Sequence, residues 1–239
     1  MNRSTLRNVT LALSAVLVWS AISAVSARAE DKEEGFKPLF DGKTLEGWNG
    51  NPKFWSVQDG AITGQTTKEN PTRGNTFILS DTKLGDFELR LKFRIVGGNS
   101  GVQFRSKEVA KWVIAGYQAD FDAAGGWTGS LYEERLRGVL ARRGNKVVIT
   151  ADGKKTAGGT TTPEKDILAS INKEGWNDYT IIAQGNHIVL KVNGLVTVDL
   201  TDNQTDKAAK SGLVALQLHA GPPMTVQFKD IRIKQLGGE

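Results

Sequence analysis

The chain has no cysteine. That excludes disulfides, thiolate nucleophiles, cysteine-ligated zinc and a lipid anchor on cysteine. Histidine is almost as scarce, with only His187 and His219 among 239 residues, and no histidine-rich metal motif is present. There is no serine nucleophile elbow, no phosphate-binding loop and no dinucleotide fingerprint. Nor does any stretch after residue 29 keep a 3.6-residue apolar period of useful length. The one long apolar run, Val9 to Val25, is shorter than the roughly 20 residues a membrane span needs. Arg3 and Arg7 precede it, and Ala27-Arg28-Ala29 follows as a small-x-small cleavage site. Residues 1–29 therefore read as a signal peptide. The mature chain, 30–239, is expected to be exported to the periplasm or secreted, with no membrane span. A strong charge of one sign is also lacking. The formal charge is +5, but Arg3, Arg7 and Arg28 are the only charged residues of the leader, so the remainder carries +2. Nucleic acid is not an expected partner.

What remains is a β pattern. Phe87, Leu89, Leu91, Phe93 and Ile95 alternate with Glu88, Arg90, Lys92 and Arg94, which predicts a strand with one face buried and one in water. Asp59-Gly60 and Asn193-Gly194 are hairpin signals. Gly185-Asn186 joins two more strands, and a phase slip at Lys229-Asp230 predicts a bulge. Residues 151–174 are polar and read as a long surface loop with at most one helical turn. About a dozen short strands with turn signals point to one all-β domain, an antiparallel two-sheet jelly-roll sandwich.

Alternation also sorts the polar residues. If Val102, Phe104, Tyr117, Ala119, Val214, Leu216 and Leu218 face the core, then Gln103, Arg105, Gln118, Asp120, Gln217 and His219 face away from it. A solvated face is usually rich in Lys, Glu and Thr. Amides, a carboxylate, a guanidinium and an imidazole beside tryptophan suit a groove for sugar hydroxyls, with an aromatic ring against the apolar side of a pyranose. Trp127, in a Gly-rich loop, and Trp112 are candidates for that ring; Trp48, Trp55 and Trp176 are expected in the core. Asn99 begins the stretch, and Tyr132, Glu133 and Glu134 follow the loop, with Arg135 and Arg137 next to them. His219 ends a strand before Gly221-Pro222-Pro223, at the sheet's rim. A histidine side chain ordinarily titrates near neutral pH, which suits proton transfer. His187, beside a hairpin turn, is expected on the surface.

Several segments in order carry a resemblance: FKPLFDGKTLEGW, WSVQDGAITG, GNSGVQFRS, GYQADFD, GSLY, WNDYTIIAQGNHIVLKVNG and LVALQLHAGPPMTVQFKDIRIK. Over about residues 36–235 the chain resembles the bacterial 3-keto-disaccharide hydrolase domain family. The resemblance implies a concanavalin-A-like jelly roll and cleavage of glycosides oxidised to a ketone at the third carbon. That chemistry needs a base, a donor for the developing enolate and an acid for the leaving group. The expected roles are His219 or Asp120 as base, Arg105 as electrostatic stabiliser and Glu134 or Tyr132 as acid. Gln103, Gln118 and Gln217 would hold hydroxyls, with Trp127, Asn99 and Glu133 also binding substrate. One departure stands out. Many family members carry a carboxylate where this chain has Tyr117, so a carboxylate-dependent step there is either lost or moved to Glu133 or Glu134. A sugar-binding module without turnover is the alternative, and a two-carboxylate glycosidase a third reading. No cofactor motif is evident, a bound divalent metal is left open, and oligomeric state leaves no trace in the sequence.

Overall fold

A computed structural model describes residues 34–237, so the signal peptide expected over 1–29 lies outside the described residues. In chain order the strands are β1 (Lys37–Pro38), β2 (Trp48–Gly50), β3 (Trp55–Gln58), β4 (Ala61–Thr66), β5 (Thr76–Leu84), β6 (Phe87–Val96), β7 (Asn99–Ala110), β8 (Val113–Asp122) and β9 (Leu131–Glu134). They continue as β10 (Gly138–Ala141), β11 (Asn145–Ile149), β12 (Lys155–Thr160), β13 (Asn177–Gln184), β14 (His187–Val192), β15 (Leu195–Asp202), β16 (Gly212–Leu218) and β17 (Met224–Gln235). One helix, α1 (Glu164–Ser170), precedes β13. Two sheets result, ordered β12-β11-β15-β14-β13-β6-β17-β4-β3, with β1 on β17, and β10-β9-β8-β7-β16-β5-β2. The pairing is antiparallel except for β11 with β15. This is the two-sheet jelly-roll sandwich.

The core lies between the sheets. Phe87, Leu89, Leu91 and Phe93 of β6 meet Phe104, Tyr117 and Phe121 of β7 and β8, with Phe93 and Phe121 rings 4.0 Å apart. The charges alternating along β6 face outward. Asp59-Gly60 and Asn193-Gly194 both have positive φ at both positions, the geometry of a two-residue hairpin. Asp230 bulges with φ 52 where the register of β17 shifts. His187 is exposed, 2.8 Å from Asp199. Trp48 and Trp55 are buried; Trp176 is only half-buried, with Arg94 and Lys229 over its ring.

The expected loop over 151–174 needs correcting. It contains the exposed edge strand β12 and α1, which buries Ile167. An edge strand paired on one side only can be polar throughout, so its sequence lacks alternation.

One distortion shapes the outer face of the smaller sheet. Strands β7 and β8 lose register between Phe104 and Lys107, where Arg105 has φ 45. Opposite, Gly116 has φ 144, and a Cβ there would meet the Ser106 hydroxyl at 2.4 Å. The hairpin beyond this kink reaches across β16. The Phe77 N–H donates to the Trp112 carbonyl at 3.0 Å, and Ile114 packs on Phe77, Leu79 and Ala215.

Candidate functional site

The same face carries the polar residues. Period-two facing holds as expected for Gln103, Gln118, Asp120 and Gln217: their strand neighbours are in the core, and they are not. They do not, however, line an open groove. Gln103 and Gln217 are fully buried, and Gln118 and Asp120 nearly so. The amides are joined to one another. Gln103 Nε2 donates to Gln118 Oε1 at 2.5 Å, and Gln217 Nε2 to the same oxygen at 3.0 Å. The Ser106 hydroxyl donates to Gln103 Oε1 at 3.1 Å. Gln118 Nε2 in turn donates to Asp120 Oδ1 at 3.3 Å, where Asn99 Nδ2 also donates at 3.0 Å. Gly101 makes room for this, since a Cβ there would lie 2.4 Å from Gln118 Cγ.

Asp120 is the chemically poised group. Burial pushes its carboxyl up to about 7, and the Asn99 and Gln118 amides act against that. Its Oδ1 takes both side-chain donors. Oδ2 takes no side-chain donor, and the residue keeps 5 % of its surface open.

A second group gathers at the rim. Asn75 accepts from the Ala220 N–H at 3.0 Å and donates to Glu134 Oε1 at 3.5 Å. It thereby ties Glu134 to the segment holding His219. Burial raises the Glu134 carboxyl above the usual carboxylate range, against the Asn75 amide, Arg135 and His219. His219 Nδ1 lies 2.5 Å from the Ala220 carbonyl. A carbonyl can only accept, so Nδ1 carries the proton in this contact. Tyr132 pairs with Gln118 across β8 and β9 and is half-buried on the same face. Asn75 was missed at the sequence level, since an Asn ahead of a strand is no signal by itself.

Two expected site residues are elsewhere. The bulge turns Arg105 away from the amides and into the loops at one end of the sandwich. Its Nε donates to the Gly85 carbonyl at 2.9 Å, Nη1 to Gly185 at 2.7 Å and Nη2 to Asp86 at 2.7 Å. With its side chain 1 % exposed, that charge holds loops together and is not aimed at a ligand. Glu133 faces the core with Leu131. Arg137 binds it at 2.6 Å through Nε and binds Asp202 at 2.7 Å through Nη2; both carboxylates are 1 % exposed. Tyr117 joins this inner network, its hydroxyl donating to Asp202 Oδ2 at 2.6 Å.

Trp127 is 39 % exposed, with Arg142 4.3 Å over its ring. Its loop is pinned by Asp122, which accepts from the N–H groups of Gly126 and Trp127. Trp112 is only half-exposed. It packs on the Phe77 cluster and donates to Asn49 at 3.0 Å. A cavity of about 260 Å³ lies nearby, between the 122–128 loop and the segment after α1, and none of the expected site residues lines it. Among the described residues no three His, Asp or Glu side chains gather as a metal site would require.

Comparison with known proteins agrees with this architecture. The family model described as a 3-keto-alpha-glucoside-1,2-lyase-like domain matches residues 35–234. A 3-keto-disaccharide hydrolase of Bacteroides thetaiotaomicron is 32 % identical over 84 residues, which is 32 % of this chain and 29 % of that protein. Among solved structures, a provisionally assigned glycosyl hydrolase of Parabacteroides distasonis superposes with a TM-score of 0.57 at 22 % identity, covering 84 % of this chain and 99 % of its own. The carbohydrate binding module CBM66 of Bacillus subtilis gives 0.52 at 18 %, covering 79 % and 96 %. At such identities these two structures speak for the fold alone.

Proposed function

The chain belongs to the 3-keto-alpha-glucoside-1,2-lyase-like domain family, and on that footing we propose that it cleaves glycosides already oxidised to a ketone at the sugar's third carbon. The ketone acidifies the hydrogen on the second carbon. A base removes that proton and an enolate forms. The enolate collapses, expelling the glycosidic oxygen from the first carbon, and that oxygen takes a proton as it leaves. Water then adds across the new double bond to complete hydrolysis.

The observation that carries this reading is the convergence on one face of a buried carboxyl, Asp120, with a half-buried carboxyl–imidazole pair, Glu134 and His219. Asp120, raised to about 7, suits a base working near neutral pH. Glu134, raised by burial, holds its proton longer than an exposed carboxyl and suits the acid that meets the leaving oxygen. The adding water closes the cycle: its hydroxyl goes to the first carbon and its proton to Glu134, while Asp120 returns its proton to the second carbon. His219, close to Glu134, is placed to hydrogen-bond that water. The Tyr132 hydroxyl, on the same face beside Gln118, is the donor proposed for the enolate now that Arg105 is committed elsewhere.

The near-complete burial of Asp120 favours a second reading, a module that binds sugar without turnover. Incubation with 3-keto-trehalose beside unoxidised trehalose separates them, with released glucose and keto-glucose measured by chromatography. Turnover of the keto sugar alone is expected. Binding of either sugar without cleavage supports the module, and cleavage of unoxidised trehalose supports a two-carboxylate glycosidase.

A further inference from the structure

The direction of the amide hydrogen bonds separates two roles that the sequence runs together. Gln103 and Gln217 both donate to a single oxygen, Gln118 Oε1, and Gln118 spends an N–H on Asp120 Oδ1. Each of these amides has a protein partner, and Gln103 has one at each end, since its own carbonyl accepts from Ser106. Fully buried, Gln103 and Gln217 present no edge to a ligand. The donors run one way, from the middle of the sheet toward Asp120. Hydrogen bonds arranged head to tail polarise one another, so the last N–H in the chain is the strongest donor.

We propose that Gln118, backed by Gln103 and Gln217, is a positioning residue that fixes the Asp120 carboxyl with Oδ2 toward the substrate and does not itself hold a sugar hydroxyl. This rests on the proposed role of Asp120 as base. The groups facing that carboxyl are Asn99 from β7, Asp122 further along β8, and Tyr179 from the opposite sheet, whose hydroxyl donates to the Asp120 backbone carbonyl at 3.2 Å. None of them replaces a donor lost from Gln118. Without that N–H the ionised form loses one of its two side-chain hydrogen bonds, keeping those from Asn99 and the Phe121 backbone N–H, and the carboxyl holds its proton to higher pH.

The test is made first without substrate. The Asp120 carboxyl carbon is followed by NMR across pH 5 to 9 in the full chain and in its Gln118→Met and Gln217→Met variants. Gln118→Met is expected to move the Asp120 midpoint up by about one pH unit, the worth of one hydrogen bond to a charged group. Gln217→Met, which touches Asp120 only through Gln118, is expected to move it in the same direction by less. Gln118→Glu keeps an acceptor for Gln103 and Gln217 if Gln118→Met does not fold, and it must raise the midpoint further because it adds a like charge. An unchanged midpoint in Gln118→Met, or in Gln118→Glu where the first does not fold, overturns the proposal whether or not the protein turns over keto sugars. If the chain is active, kcat in Gln118→Met should fall at pH 7 and recover toward pH 9 with KM little changed. A rise in KM alone would instead mark Gln118 as a sugar contact.

Discussion

Replacing Asp120 with asparagine should abolish turnover and, at alkaline pH, make the protein more stable. Asp120 titrates near 7 in the folded chain because burial disfavours its charge, against an ordinary value of 3.8. The folded state therefore binds this proton more tightly than the unfolded chain does. Its contribution is favourable only while the carboxyl is protonated. It is fully present below about pH 4, is lost as pH rises through 7, and is wholly gone by pH 8. Three pH units at about 1.4 kcal/mol each put the cost of ionised Asp120 at about 4 kcal/mol. Asparagine keeps an oxygen for Asn99 and Gln118 and carries no charge, but its amide N–H needs an acceptor, an offset of about 1–2 kcal/mol. The net gain at pH 8 is about 2 kcal/mol, or roughly 4–8 °C in Tm for a domain of this size. At pH 4, where wild-type Asp120 is protonated, the gain is absent and only the offset remains, so the variant should be less stable by about 1–2 kcal/mol. Thermal melts followed by circular dichroism from pH 4 to 8.5 measure the difference. A Tm difference that does not change with pH, or a variant less stable at pH 8, would refute the argument from burial.

Two other substitutions test the division of labour. Arg105→Met removes the guanidinium that joins the Gly85, Gly185 and Asp86 segments. It should cost about 3–5 kcal/mol in urea unfolding while leaving kcat per folded molecule within about twofold. A selective loss of kcat would return Arg105 to the site. Gly101→Ala puts a Cβ 2.4 Å from Gln118 Cγ; the displaced amide should cost about 1–3 kcal/mol by overpacking and lower turnover at least about tenfold. Wild-type activity in that variant would show that the Gln118 position is not needed.

How much of this was legible in the sequence depends on whether a strand keeps its phase. Strand β6 and the residues from Val102 to Phe104, Tyr117 to Phe121 and Val214 to Leu218 keep strict alternation, and every one faces as the period requires. Arg105 is one step further along the same alternation and breaks it. The left-handed bulge falls on an arginine, with no Gly or Asn there to announce it. The inward facing of Glu133 is readable from its neighbours. Leu131 shares its face, and two adjacent carboxylates on one strand cannot both point at the site. The burial of the amides was not readable, because it depends on a hairpin folding back over β16 and β5, a contact between residues far apart in sequence. Asn75 joins Glu134 to Ala220 through the same kind of distant contact.

The departure at Tyr117 now has a physical account. Position 117 faces the core, opposite Glu133, not the face that carries Asp120. Arg137 already takes both Glu133 and Asp202 there. A carboxylate at 117 would add a third negative charge to one guanidinium, buried between the sheets. Tyrosine supplies a donor instead, which Asp202 accepts, and burial with that hydrogen bond holds the Tyr117 proton well above its ordinary range. The substitution therefore changes how the two sheets are tied together and leaves the outer face as it was. One sheet carries two polar systems, back to back. Inside, one guanidinium, Arg137, bridges two buried carboxylates and fixes both in place. Outside, the Asp120 carboxyl is held by neutral amides with no cation against it, and its burial keeps its proton exchangeable near neutral pH.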